Sequence, residues 1–135
     1  TLMITDVDNT AAYVPQSSVA GTYGTFNLLA NGSWTYVAYS AYDSLNVGDS
    51  ISDTFSVSAV DGTATSVQVT IHGTNDAAIV SSASVNVNET NAPITTGGSL
   101  TVSDVDNISE FTPQSNTAGT YGTFNILSDG TWTYT

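Results

Sequence analysis

The sequence predicts an all-β fold, and three observations support this prediction. The composition favours strands, since 22 Thr accompany many Val, Tyr, Phe and Trp residues while strong helix formers are scarce. Apolar and polar residues alternate in several short runs, which is the period of a half-buried strand. Asn-Gly or Asp-Gly pairs separate three pairs of these runs, as in β-hairpins.

The charge of the chain limits its function. Its 135 residues include 12 Asp and Glu, one His and no Lys or Arg, so the formal net charge is -12. Nucleic acids and anionic membranes are bound by basic residues, and we expect neither partner. No apolar run approaches the ~18 residues of a spanning helix, so membrane insertion is not expected. The carboxylates need an external cation, and a divalent metal is the simplest candidate.

An internal repeat organises the chain. Residues 1–37 align without gaps to residues 99–135, and 21 of the 37 aligned positions are identical. The motif TDVDN returns as SDVDN, and AGTYGTFN returns unchanged. The offset of 98 residues corresponds to one immunoglobulin-sized sandwich, which typically has ~100 residues.

Turn signals and alternation predict the strands. Hairpins are expected around Asn31-Gly32, Asp61-Gly62 and Asp129-Gly130, with both residues of each turn at positive φ. The hairpin around Asp61-Gly62 is expected to have an outward face formed by Ser66, Gln68, Thr70 and His72. Further strands are expected at residues 2–4, 85–87 and 100–102.

Joined in order, these strands give units of about seven short strands in two sheets. One unit would begin near Ala78, so residues 1–77 lack the first strand of their sandwich and residues 78–135 lack the last hairpin of theirs. Residues 73–77 form the linker. The first residue is Thr, and we expect the chain to be a piece of a longer protein. The open sheet edges of the incomplete unit are expected either to be covered by a neighbouring copy, through swapping or strand addition, or to stay poorly ordered.

The motifs also resemble a known family. TDVDN, AGTYGTFNLLANGSWTYV and DSISDTFSVSAVDGTATSVQVTIHGTNDA are similar, in order, to the hallmarks of the VCBS repeat. This resemblance covers nearly the whole chain. It implies an all-β fold made of tandem immunoglobulin/cadherin-like β-sandwiches with Greek-key connections, present here as parts of two consecutive repeats. It also implies a calcium-associated extender or adhesion module of a large secreted bacterial surface protein of the RTX type.

A calcium site is predicted from spacing. Alternate residues of a strand point to the same side, so Asp104 and Asp106 can share a ligand, and the neighbouring Asn107 adds a neutral oxygen. This D-x-D-N pattern resembles the pair with which cadherin-like modules bind linker calcium. The site is expected at the linker, and its candidate ligands are Asn75, Asp76, Glu89, Asp104, Asp106 and Asn107.

Other acidic residues are weaker candidates. Asp6 and Asp8 form the first copy of the pattern, next to Asn9, but without a preceding linker their site is expected to be empty or incomplete. Asp61 lies in a hairpin turn, where Asp-Gly is equally expected for its turn chemistry alone. The alternative for all of these residues is that they are solvated turn residues. The loop residues Asp43, Asp49 and Asp53 are interpreted as solvated.

Catalysis has little support in the sequence. The only His, His72, is expected to face solvent on a strand, and no G-x-S-x-G motif is present. The aromatic residues Tyr23, Phe26, Trp34 and Tyr36 suggest a sugar-stacking platform, but core packing is the better interpretation. Tyr39 and Tyr42 are expected to hold a loop between the sheets.

Three functions remain after these exclusions. The first is a calcium-stabilised extender of a secreted bacterial surface adhesin or extracellular fibre, stiffened by ions at the linker and in contact with neighbouring repeats of the same chain. The second is a calcium-dependent glycan-binding module. The third is an accessory module of a large secreted hydrolase. In the first case, a glycan or cell-surface ligand would be bound by other domains.

Overall fold

Eleven β-strands and no helix make up the structure, a computed structural model that describes residues 1–135. All strand pairs are antiparallel, which confirms the predicted all-β class. No helix exists that is long and apolar enough to span a membrane. The strands are β1 (Gln16–Ala20), β2 (Gly24–Leu28), β3 (Trp34–Ala38), β4 (Ser50–Ser58), β5 (Ala64–His72), β6 (Ile79–Val80), β7 (Thr96–Ser99), β8 (Val102–Ser103), β9 (Gln114–Ala118), β10 (Thr123–Ile126) and β11 (Thr131–Tyr134).

The chain divides into two compact units, Thr1–Thr74 (unit 1) and Asn75–Thr135 (unit 2). Unit 1 contains a three-stranded sheet in the order β1-β2-β3 and the two-stranded sheet β4-β5. Unit 2 contains a four-stranded sheet in the order β7-β11-β10-β9 and the short pair β6-β8. No strand pair of unit 2 is equivalent to the β4–β5 hairpin of unit 1.

The core of unit 1 joins its two sheets, as in a β-sandwich. Phe26 of β2 stacks on Phe55 of β4 with ring centroids 4.6 Å apart and planes 10° apart. Leu28 and Val57 are fully buried beside them, and Val67 of β5 completes the cluster. Every second residue of these strands faces inward, because successive side chains of a strand point to opposite faces. The alternation of the sequence therefore encodes this core directly.

The three predicted hairpins form, but their turn conformation differs from the prediction. Only the glycines have positive φ, with 86° at Gly32, 92° at Gly62 and 85° at Gly130. In the first turn, Gly32 N donates to Leu29 O and Leu29 N donates to Ser33 O. This is a three-residue loop with a glycine bulge, the next most common hairpin after the two-residue type. The extra residue permits Asn31 to avoid the left-handed region.

A bulge occurs at the same place in both copies of the repeat. Ser18 and Asn116, 98 residues apart, have φ angles of 50° and 52°. Ser18 N donates to Asn27 Oδ1 at 2.8 Å, and Asn116 N donates to Asn125 Oδ1 at the same distance. The amide side chain of the neighbouring strand thus satisfies the backbone donor at each bulge, where the β-ladder is interrupted.

Two predicted strands are absent. Residues 81–90 have no regular structure, although Val85 and Val87 alternate with polar residues. Residues 1–6 likewise form no strand, and Leu2 N makes a single backbone bond to Gly32 O. A strand needs a hydrogen-bonded neighbour. Neither segment has one in the structure. In unit 2 the counterpart of residues 4–5 is β8, which pairs with β6, and unit 1 contains no counterpart of β6.

Candidate functional site

Residues 104–107 form a tight acidic turn after β8, which we call the acidic turn. Asp104 Oδ1 accepts hydrogen bonds from Asp106 N at 3.2 Å and Asn107 N at 3.0 Å. Asp104 N donates to Ser109 Oγ at 2.9 Å, which closes the loop. An Asp side chain that accepts from the next backbone amides stabilises such a turn without any ligand.

The acidic turn is connected to the first residues of unit 2. Asp76 N donates to Asp106 Oδ2 at 3.0 Å. Asn107 Nδ2 donates to Asn75 Oδ1 at 2.9 Å and to Asp106 Oδ1 at 3.0 Å. Asp106 is only 7% exposed. One polar network therefore contains four of the predicted site residues, Asn75, Asp104, Asp106 and Asn107. Asn75 lies about thirty positions before the other three in the chain.

The electrostatics of the acidic turn favour the ionised form of Asp104. Its interaction with the Asp106 side chain, followed by the backbone amides of Asp106 and Asn107, holds the pKa of Asp104 below its ordinary value and outweighs the opposing effect of burial. Two interacting carboxylates on one turn, in a chain without Lys or Arg, have no cationic side chain to balance them.

The equivalent turn in unit 1, residues 6–9, makes no contact of this kind with another segment. Asp6 Oδ1 accepts from Asp8 N at 3.1 Å and Asn9 N at 2.9 Å, and Asn9 Nδ2 donates to Asp8 Oδ1 at 3.3 Å. The hydrogen bond from Asp8 N, followed by the interaction with the Asp8 side chain and the hydrogen bond from Asn9 N, lowers the pKa of Asp6. Asp8 is exposed, whereas its counterpart Asp106 is buried. The difference arises because no segment of unit 1 takes the place of residues 75–76.

The remaining predicted ligands do not converge on the acidic turn. Asp76 contacts it through its backbone N–H, and Glu89 is exposed in the irregular segment 81–90. Asp61 Oδ1 accepts from Thr63 N at 2.8 Å, and Asp129 Oδ1 accepts from Thr131 N at 2.8 Å, so both serve their hairpin turns. No group of three or more His, Cys, Asp or Glu side chains is positioned to hold a metal ion.

Asp53 is the residue that the sequence interpretation placed wrongly. It was expected to be a solvated loop residue, but it lies in β4 and is 5% exposed. Its carboxylate accepts from Thr22 N at 2.7 Å, Tyr23 N at 2.9 Å and the Tyr36 hydroxyl at 2.8 Å. Asp53 thus joins β4 to the loop between β1 and β2 and to β3. The sequence signal that could have placed Asp53 in the interior is its spacing, since residues 53, 55 and 57 lie on the same face of one strand.

The pKa values of this pair move in opposite directions. Burial by itself would raise the pKa of Asp53, but hydrogen bonds from Tyr23 N, the Tyr36 hydroxyl and Thr22 N outweigh it and lower the pKa. Burial, followed by the hydrogen bond to Asp53 and the charge of Asp53, raises the pKa of Tyr36 to about 12. Asp53 is therefore an anion that Tyr36 stabilises as a protonated donor.

Unit 1 is expected to lose stability at high pH through Tyr36. The folded-state pKa of about 12 exceeds the ordinary value of 10.0, so the stabilisation is complete below pH 10 and is lost as the pH rises towards 12. Tyr36→Phe should remove this pH dependence, which chemical denaturation at several pH values measures. Tyr39→Phe, at an exposed tyrosine, is the control. An unchanged alkaline slope in Tyr36→Phe would contradict the assignment.

The other predicted side chains lie largely where they were expected. Phe26 and Trp34 pack together with ring centroids 6.0 Å apart, as core residues. The Tyr42 hydroxyl donates to Tyr23 O at 2.8 Å, and Tyr39 N donates to the same carbonyl at 2.8 Å, so both tyrosines hold the loop after β3. His72 is exposed at the end of β5.

Comparisons with known proteins add no assignment. No family model matches the chain, and no curated protein is significantly similar to it.

Proposed function

We propose that this chain is a structural repeat segment: a calcium-stabilised extender of a secreted bacterial surface adhesin or extracellular fibre, built from tandem immunoglobulin/cadherin-like sandwiches of the VCBS type with Greek-key connections. The observation that carries the proposal is the network of Asn75, Asp106 and Asn107. This network joins the first residues of unit 2 to its acidic turn through side chains with oxygen atoms.

Two further features support an extender. The repeat of 98 residues is accompanied by matching strands, since β1 and β9 occupy positions exactly one repeat apart in the alignment, Gln16–Ala20 and Gln114–Ala118. The chain has twelve carboxylates, of which only Asp53 and Asp106 are buried, and no Lys or Arg. A chain of this kind repels its own copies unless cations are present, which suits a module whose rigidity depends on metal in its surroundings.

The donor chemistry of the network fits calcium in part. Ca²⁺ takes six to eight oxygen ligands from carboxylates, amide oxygens, backbone carbonyls and water. Asp104 and Asp106 offer carboxylates, and Asn75 offers its amide oxygen. Asn107 presents its Nδ2 group and would have to rotate its amide to offer oxygen. A bound calcium would neutralise Asp104 and Asp106, and backbone carbonyls or water must complete its shell.

A calcium titration of the wild-type chain tests the proposal. We expect calcium to raise the thermal unfolding midpoint and a chelator to lower it again, because an ion that binds only the folded state stabilises it by mass action. Asp106→Asn should abolish most of this shift. The matched control is Asp8→Asn, which changes the same position of the repeat in unit 1, where the turn has no partner segment.

The two variants also define the result that would refute a calcium role. A midpoint that does not respond to calcium in the wild-type chain would do so. An equal loss of the calcium response in Asp8→Asn and Asp106→Asn would place the binding elsewhere than the network around Asn75. Magnesium at the same concentration serves as the reference for non-specific charge screening.

A further inference from the structure

The hairpin turns at Asn31-Gly32, Asp61-Gly62 and Asp129-Gly130 share one geometry, although only the first contains an Asn. In each turn the glycine has a positive φ, and its N–H donates at 3.0 Å to the carbonyl oxygen three positions earlier. The side chain before the glycine accepts through Oδ1 from the backbone N–H after the glycine, at 2.9 Å in the Asn31 turn and 2.8 Å in the two Asp turns. The side-chain amide of Asn31 and the two carboxylates therefore occupy equivalent places and accept the same hydrogen bond.

Asn31-Gly32 is the only Asn-Gly pair of the chain, and it can react with itself. Glycine has no side chain, so its backbone nitrogen can approach the side-chain carbon of the preceding residue closely. The Gly32 nitrogen attacks Cγ of Asn31, and the side-chain nitrogen leaves as ammonia with the proton that Gly32 loses. Water then opens the succinimide ring. Cleavage of the bond to Cγ gives an aspartyl residue, whereas cleavage of the bond to the backbone carbonyl carbon gives an isoaspartyl residue with a longer main chain.

The fold covers the reacting nitrogen of Gly32. Gly32 is buried, Leu2 N donates to Gly32 O at 2.8 Å, and a Cβ atom at Gly32 would collide with Leu2 O. The cover is a property of the repeat, since Leu100 N donates to Gly130 O at 2.9 Å and Leu100 O lies against Gly130 in the same way. Ring closure therefore requires the turn to move away from Leu2 first.

The turn at Gly62 has no such cover. Gly62 is exposed, and apart from its chain neighbours no atom lies within 4 Å of a Cβ atom built on it. Its internal hydrogen bonds match those of the Gly32 turn, and its φ of 92° is close to the 86° of Gly32. Unit 1 thus contains two turns with the same internal geometry, one covered and one open.

The Asp129 turn shows how the fold receives an aspartyl residue at this place. Asp129 Oδ1 accepts from Thr131 N at 2.8 Å, and this bond, followed by the hydrogen bond with the Thr131 side chain, lowers the pKa of Asp129. An aspartyl product at position 31 would accept from Ser33 N in the same manner, and a charged acceptor strengthens the bond. An isoaspartyl product lengthens the main chain and breaks the hydrogen-bond pattern of the glycine bulge.

We propose that Asn31 is a self-modifying site, which deamidates spontaneously when its turn is released from Leu2 and which the folded chain retains in the aspartyl form. The reaction needs no enzyme and consumes only water. It is one-way, because ammonia is lost, and it adds a negative charge to unit 1. Both products can close to the succinimide again, so the product that the folded turn stabilises accumulates. The modification converts this turn into the Asp-Gly form that unit 2 already has, and it is independent of calcium.

A second Asn-Gly pair in the open turn tests the role of the cover. Asp61→Asn creates this pair next to the exposed Gly62. The chain is incubated in mildly alkaline buffer and digested with chymotrypsin, since it has no Lys or Arg for trypsin, and the peptides are followed by mass spectrometry. We expect the open turn to deamidate about tenfold faster than Asn31 in the same molecule, because it needs no local opening. In denaturant, where both turns are open, the two rates should converge.

The contact with Leu2 provides a second test on Asn31 itself. Leu2→Pro removes the N–H that binds Gly32 O and should accelerate the deamidation of Asn31 about threefold or more. The matched control is Leu100→Pro, which removes the equivalent N–H in unit 2 and should leave the rate at Asn31 unchanged. Hydrogen exchange of β2 and β3 verifies that the sheet of unit 1 stays folded in Leu2→Pro.

The nature of the product is measured separately. Isoaspartyl residues are labelled with protein isoaspartate methyltransferase, and we expect the aspartyl form to exceed the isoaspartyl form in the folded chain. A synthetic peptide of residues 26–36, which has no fold to select between the products, should show the opposite ratio. Asn31→Asp should unfold at a midpoint no lower than that of the wild-type chain.

Three results would overturn the proposal. The first is an equal rate for Asn31 and for the introduced pair of Asp61→Asn under native conditions, since the cover would then have no effect. The second is an Asn31 that stays intact in the folded wild-type chain and in Leu2→Pro while the peptide of residues 26–36 converts completely. The third is a majority of isoaspartyl product in the folded chain, since the fold would then not retain the aspartyl form.

Discussion

Replacement of Asp53 by Ala is expected to destabilise unit 1 by about 3 kcal/mol, the range found when several hydrogen bonds to a buried charged group are lost. The carboxylate accepts from Thr22 N, Tyr23 N and the Tyr36 hydroxyl. Truncation leaves all three donors without their acceptor and opens a space next to Gly21. The free energy of unfolding from denaturant titration measures the loss.

The pH dependence of a second variant, Asp53→Asn, identifies the cause. The pKa of Asp53 is lowered in the folded protein, so its stabilisation is present above the ordinary value of 3.8 and is lost as the pH falls through the folded-state pKa. Asp53→Asn should therefore remove part of the acid sensitivity below about pH 4. Asp43→Asn, at an exposed position, is the control. A loss of stability at neutral pH no greater than that of the control would refute the structural role of Asp53.

Phe26→Ala is expected to cost about 4 kcal/mol, as is typical for a fully buried phenylalanine in a sandwich core. The repeat supplies its own control, since Phe124→Ala removes the equivalent ring from unit 2, where no β4–β5 hairpin covers it. Phe124→Ala should cost less than half as much, because a half-buried ring loses less transfer free energy and leaves a smaller cavity.

Hydrogen exchange resolved by residue separates the two units in this comparison. Phe26→Ala should accelerate exchange in β2 and β4, and Phe124→Ala should accelerate exchange in β10 and β11 to a smaller extent. Equal effects of the two substitutions would show that unit 2 is covered as completely as unit 1.

Much of the fold was predictable because its signals are local. The alternation around Phe55 and Val57 encodes the inward face of β4, and the Asp-Gly and Asn-Gly pairs encode the hairpins. The spacing of Asp104 and Asp106 drew attention to the acidic turn, but the two residues lie in a turn after β8 and not on one face of a strand as expected. Four of the proposed ligands do lie together. The conformation of the turns was not predictable. A two-residue turn and a three-residue loop with a glycine bulge differ by a single residue in loop length, and an Asn-Gly or Asp-Gly pair occurs in both.

The sequence by itself determined the all-β class, the repeat, the positions of three hairpins and the alternation of the core. The tertiary structure alone decided which segments find partners. Residues 85–87 have the pattern of a strand and form none, because a strand depends on a neighbour that the pattern does not specify. The same reason explains why Asp53 is buried and Asp43 is exposed. A carboxylate in a polar stretch of sequence is expected to be solvated. Only the packing of the two sheets brings the donors Thr22 N, Tyr23 N and the Tyr36 hydroxyl to Asp53.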